Sequence, residues 1–92
     1  MIRRFRHKGL ERLYRLGSAK GVQAAVADKI ARILARLDVA TGPEQMGLPG
    51  WRLHPLKGDL RGFWSVSVNA NWRIVFRFDG ADAVDVDLVD YH

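Results

Sequence analysis

The hydrophobic period of this chain changes once, near its middle, and that change limits the folds open to it. Val22, Val26, Ile30, Ile33, Leu34 and Leu37 recur at helical spacing, with Lys29, Arg32 and Arg36 on the opposite side. Residues 41–50 follow, with three glycines and two prolines marking an irregular connection. Beyond it the period falls to two. Residues 51–54 alternate, Trp64, Val66 and Val68 oppose Ser65 and Ser67, and Trp72, Ile74, Phe76 and Phe78 oppose Arg73, Val75 and Arg77. The spacing predicts an amphipathic helix over about residues 22–39 and a run of strands after it.

Local punctuation fills in the rest. Leu10, Leu13, Tyr14 and Leu16 have helical spacing, and Gly17 stops that helix. Ser18 offers an N-cap to the second helix, while Gly21 argues for a start a few residues later. Residues 2–6 form a weak first strand. Pro55 limits how centrally the strand at 51–54 can pair. Lys57-Gly58-Asp59 and Asn69-Ala70-Asn71 read as turns, and Asp79-Gly80 as a hairpin. The last strand places Val84, Val86 and Leu88 on one face, with Asp85 and Asp87 outward. The order implies an α+β fold in a single domain, residues 1–92. A short N-terminal strand precedes two helices packed on a twisted, mainly antiparallel sheet of about four strands.

Charge is distributed unevenly. Residues 1–40 carry ten Lys and Arg against Glu11, Asp28 and Asp38, whereas residues 79–92 carry five aspartates and no basic side chain. A basic field of this kind favours phosphate contacts, although a solvated helical surface or a docking face for an acidic protein fits it too. The chain has no cysteine, which excludes disulfides and thiolate metal sites. Its basic N-terminus lacks a following apolar run, and no stretch approaches the about 20 apolar residues of a membrane span. A cytoplasmic protein with no membrane partner is expected.

Phosphate-loop, dinucleotide and zinc-protease motifs are absent, and Ser18, Ser65 and Ser67 sit in no nucleophile-elbow context. The candidates for chemistry are basic. His92 closes the chain after Asp90 and Tyr91, and an imidazole there could transfer protons at neutral pH, unless the segment is a frayed tail. His54 and Lys57 lie in a strand edge and turn that would equally suit a surface role. Arg73 and Arg77 point away from the apolar face, either lining an open surface or pairing with Asp85 and Asp87. If Lys57, Arg73 and His92 converge, cations stabilise a phosphorane while the imidazole moves a proton.

Four segments, in collinear order, resemble the HigB-type toxins of the RelE/ParE superfamily. They are Phe5-Arg6-His7-Lys8-Gly9-Leu10, Leu53-His54-Pro55-Leu56-Lys57-Gly58-Asp59, Phe63-Trp64-Ser65-Val66 with Asn71-Trp72-Arg73-Ile74, and Val89-Asp90-Tyr91-His92. The resemblance implies a RelE-like, microbial-RNase-type fold and a ribosome-dependent mRNA endoribonuclease that needs no metal or other cofactor. It implies catalytic roles for Lys57, Arg73, Asp90, Tyr91 and His92, and RNA contacts from His54 and Asn71, to which the open-face Arg77 is added. The implied partners are the ribosome, mRNA and a HigA-type helix-turn-helix antitoxin, with operator DNA reached only through the antitoxin. Some members carry a further arginine where Val68 and Asn69 stand here, which puts catalytic vigour in question. A non-enzymatic, gyrase-inhibiting toxin of the ParE kind on the same scaffold is the alternative.

Overall fold

The computed structural model describes residues 1–90. Helix α1 (Lys8–Leu16) ends where the sequence places its stop. Gly17 takes φ 68° and donates its N–H to the Leu13 carbonyl at 3.0 Å, a left-handed cap that glycine adopts without a Cβ clash. Its N-cap is His7, whose Nδ1 accepts the Leu10 N–H at 3.1 Å. Helix α2 (Ala27–Val39) begins later than residue 22, after a 3-10 turn over Ala24–Val26. The reason lies in the preceding loop, where Gly21 packs backbone to backbone on Gly9, so closely that a Cβ on either would collide with the other. Val22 and Val26 still pack against the core from outside the helix, which is why they share its apparent periodicity.

Strands β1 (His54–Pro55), β2 (Trp64–Ser67), β3 (Trp72–Asp79) and β4 (Asp82–Asp90) form an antiparallel sheet in that order. The strand expected over 51–54 shrinks to β1, because Arg52 adopts φ 52° and interrupts the extended backbone. The weak first strand is a pair of parallel bridges against β4, Ile2 to Ala83 and Phe5 to Val86. Arg3 and Arg6 there donate N–H to the Ala83 and Val86 carbonyls, at 2.9 and 2.8 Å. No described helix is long and apolar enough to cross a membrane.

The last strand departs from simple alternation. Val75 faces Asp87 while Arg77 faces Val84, so β4 carries an extra residue there, with Asp85 at φ 54°. The bulge turns Val84 to the face opposite Val86, correcting the expectation that Val84, Val86 and Leu88 share one face. It also aims Asp85 at Arg77 and Arg4, with contacts of 2.9 and 3.3 Å.

Both helices cover one face of the sheet. Leu10, Ile30, Ile33, Leu34 and Leu37 pack there against Val66, Ile74, Phe76, Ala83 and Val86. At the rim, Asp38 Oδ1 accepts the Ile2 N–H at 3.0 Å and the Tyr14 hydroxyl at 2.7 Å, tying the N-terminal segment to both helices. The tyrosine's hydrogen bond lowers the Asp38 carboxyl below its usual range, and the same bond raises the Tyr14 hydroxyl. Three of the aspartates of the C-terminal hairpin, Asp79, Asp82 and Asp85, are neutralised within the fold. Arg3 meets Asp79 and Asp82 at 2.6 and 3.5 Å, and Arg4 meets Asp85. Part of the basic charge of residues 1–40 is therefore spent inside the fold.

Candidate active site

The helix-free face of the sheet carries the chemistry. Directly opposed residues of an antiparallel sheet share a face, and the register aligns His54, Ser65, Val75 and Asp87 in one row across all four strands. The next row holds Ser67, Arg73 and Val89. The bulge falls on the far side of Val75, so both rows stay in step. Arg73 is half-buried and donates from Nη1 to the Ser65 Oγ at 3.1 Å. Ser65 is only 1% exposed, so its hydroxyl is a fixed anchor. His54 is the β1 neighbour of Ser65 and Arg73 reaches the same serine diagonally from β3, so the sheet brings His54 and Arg73 to one small residue.

Lys57 follows β1 in an extended conformation and opens the 3-10 turn Gly58–Leu60. Leu56 donates to the Phe63 carbonyl at 2.9 Å and Leu60 to that of Lys57 at 3.3 Å, so the backbone on both sides of Lys57 is fixed while its side chain is exposed. Asn71 is set by its neighbour. The Asn69 Oδ1 accepts N–H groups from Asn71 and Trp72, each at 2.9 Å, an Asx turn that starts β3.

Arg77 also faces this side, but Asp85 engages its Nε at 2.9 Å, and its guanidinium lies 6.0 Å from the Phe63 ring centre. Arg6 approaches the same ring at 5.2 Å, within reach of a cation–π attraction. Burial pushes the Asp85 carboxyl up, yet hydrogen bonds and charge from Arg4 and Arg77 outweigh it and hold the group below its ordinary range. The salt-bridge reading of Arg77 is thus the one the structure bears out. Asp90 faces Trp72 in the register, which puts it on the helix side of the sheet, one residue beyond the Val89 that faces Arg73. Tyr91 and His92 lie outside the described residues.

Two contributions were not read from the sequence. Alternation puts Ser65 only on the face opposite Trp64 and Val66. Its role as the seat of Arg73 depends on a register that alternation alone does not give. Arg52 and Lys29 line a cleft of about 390 Å³ with Arg73, beside Ser67 and Asn69. Among the described residues no group of three His, Cys, Asp or Glu side chains is gathered to hold a metal ion.

Comparison with known proteins points one way. A family model described as the RelE-like toxin of type II toxin-antitoxin system HigB matches residues 3–92. The chain is 45% identical over 92 residues to "Endoribonuclease HigB" of Proteus vulgaris, spanning 100% of both. It is 29% identical over 90 residues to "Toxin HigB-1" of Vibrio cholerae, covering 96% of this chain and 95% of that one. Among solved structures, a YoeB/ParE toxin from Agrobacterium tumefaciens superposes with a TM-score of 0.60 at 20% identity, covering 100% of this chain and 99% of the other. At that identity the likeness concerns the fold alone.

Proposed function

The chain belongs to the HigB-like family of RelE-like toxins of type II toxin-antitoxin systems, and on that premise we propose that it is a ribosome-dependent endoribonuclease that arrests translation by cutting mRNA in the A site. The observation that carries the reading is the Arg73 guanidinium seated on buried Ser65, with exposed His54 across the strand pair on the helix-free face of the sheet. A fixed cation at that point suits a phosphate whose charge grows during the reaction.

The reaction we assign is attack of a ribose 2′-oxygen on the adjacent phosphorus. The P–O5′ bond breaks, leaving a 2′,3′-cyclic phosphate and a 5′-hydroxyl. Arg73 and Lys57 stabilise the equatorial oxygens of the phosphorane. His92 exchanges the proton between the attacking and departing oxygens, Asp90 orients the terminal segment from the helix side of the sheet, and Tyr91 stacks on or hydrogen-bonds to the nucleotide. His54 and Asn71 position the strand, and Arg77 contributes on the same face. These steps draw on side chains alone and use no cofactor.

A type II toxin has an antitoxin partner. We assign it a HigA-type helix-turn-helix protein, through which the pair would reach operator DNA, and we place the toxin in the cytoplasm with the ribosomes. Both curated relatives carry the HigB designation, and nothing favours the gyrase-inhibiting alternative. The test is translation in a reconstituted system with purified protein, mapping transcript ends. Cuts within the A-site codon that end in 2′,3′-cyclic phosphate are expected. Intact mRNA on stalled or running ribosomes would overturn the proposal.

A further inference from the structure

We propose that Arg52 and Lys29 form a phosphate subsite that holds the backbone of the single-stranded RNA where it leaves Arg73 and passes the β2–β3 turn. The inference rests on the endoribonuclease reading and extends it to residues outside the row that carries His54 and Ser65. Its physical basis is a cleft of about 390 Å³ at the end of the sheet, bounded by Lys29, Gly50, Arg52, Ser67, Asn69 and Arg73. The three cations come from three separate parts of the chain, namely α2, the loop before β1, and β3.

Two features set this end of the sheet apart. At the other end Arg3 is neutralised by Asp79 and Asp82, and Arg4 and Arg77 by Asp85, while Arg6 lies over the Phe63 ring. Among the described residues, Lys29 and Arg52 have no carboxylate partner. Unneutralised charges lining a concave wall focus positive potential into it. The second feature is the backbone of Arg52, at φ 52°. A non-glycine side chain in the left-handed region costs about 1 kcal/mol or more, and stability alone would favour glycine there. The neighbouring Trp51 carbonyl accepts the Ser67 N–H at 2.7 Å, which pins the strained loop to the end of β2. Arg52 is thus held beside Ser67 and Arg73 at a conformational cost, and its side chain makes no hydrogen bond, ion pair or ring contact with another described residue. A strained residue whose side chain serves nothing internal points to a ligand. A polyanion's phosphate is the ligand that charge and geometry fit.

The test is fluorescence anisotropy of the full chain with a labelled 2′-O-methyl RNA dodecamer, whose blocked 2′-oxygens prevent cleavage, titrated over a range of salt. Each phosphate contact on a single strand contributes a slope of about −0.7 in log K against log salt. The Lys29→Gln/Arg52→Gln double variant is expected to lose about 1.4 of that slope and about tenfold in affinity at low salt. Lys8→Gln/Arg12→Gln, which removes the same charge from α1, is expected to keep the wild-type slope. Arg52→Gly relieves the left-handed strain, so it should raise the melting temperature while still weakening RNA binding. Replacing the phosphates one at a time by neutral methylphosphonates should then reveal one position that matters to wild type and not to the double variant. Equal slope losses in both double variants, no loss in either, or no binding by wild type would each overturn the subsite. Cleavage is read separately, so a protein that shows the slope loss but cuts no mRNA sinks the activity and leaves the subsite standing.

Discussion

Arg73 and Ser65 are joined across the β2–β3 pair by a 3.1 Å hydrogen bond, and the serine is nearly inaccessible to solvent. A buried hydroxyl holds the cation more narrowly than solvent would, and small displacements of a stabilising group cost up to about 100-fold in rate. Ser65→Ala should therefore lower single-turnover cleavage about tenfold, with little change in half-saturating toxin concentration. Ser65→Thr, which keeps the hydroxyl, should recover most of the rate. Equal rates for the alanine variant and wild type would remove Ser65 from the positioning of Arg73.

For the cationic and terminal groups, Lys57→Ala and His92→Gln are each expected to reduce cleavage by about 100-fold or more, the range for a lost electrostatic or acid–base contribution. Melting temperature and circular dichroism should stay at wild-type values, since Lys57 is exposed. A His92→Gln protein that still arrests growth would remove the imidazole from the chemistry.

The Tyr14–Asp38–Ile2 cluster makes a prediction about stability. Tyr14→Phe deletes a 2.7 Å hydrogen bond to a charged acceptor, for a loss of about 1.5–3 kcal/mol. In a chain of this size each kcal/mol corresponds to about 4–8 °C in melting temperature. Asp38→Asn should cost a similar amount, and the double variant less than the sum, because both remove one interaction. Thermal unfolding of the three proteins measures it.

Acid should unfold the protein through the same carboxylates. Asp38 and Asp85 both have folded-state pKa values below the ordinary carboxylate range. The stability they supply is full above about pH 4–5 and is lost as pH falls through the ordinary value and then the lowered ones. Asp85→Asn should flatten the dependence of urea midpoint on pH below about pH 5 while lowering the midpoint at pH 7. An unchanged acid limb would show that Asp85 has the same proton affinity in both states.

Gly9 and Gly21 meet backbone to backbone, so Gly9→Ala is expected to destabilise despite alanine's better helix propensity. The cost should exceed the about 1 kcal/mol that the propensity alone would return. A more stable Gly9→Ala protein in denaturant titration would show that the contact can open without penalty.

What could be read from the sequence was what repeats or breaks locally. The stop at Gly17, the Asp79-Gly80 hairpin and the facing of Trp72, Ile74, Phe76 and Phe78 follow from spacing and turn chemistry, and the structure keeps them. What escaped depends on contacts distant in sequence. The late start of α2 is set by Gly9, the shortening of β1 by the kink at Arg52, and the reversal of Val84 by one bulged residue. The candidate site divides similarly. Arg73 and Arg77 have identical local patterns, yet one is seated on Ser65 and the other on Asp85, a difference that only the register and the bulge create. Lys29 reads as an ordinary charge on the outer side of a helix, and nothing in its spacing links it to Arg52.

The parallel pairing of the N-terminal segment with β4 has a consequence for when this protein comes into being. Arg4 and Asp85 are 81 residues apart, so the segment before α1 has no place to lie until β4 has joined the sheet. Contacts of that span close late and slow the completion of a fold. Until β4 joins the sheet, Ile2 and Phe5 have no parallel partner and the face that carries Arg73 lacks its final strand. The helices and the β2–β3 pair can therefore assemble before the face that carries Arg73 is finished, so the site is the last part of the domain to be completed.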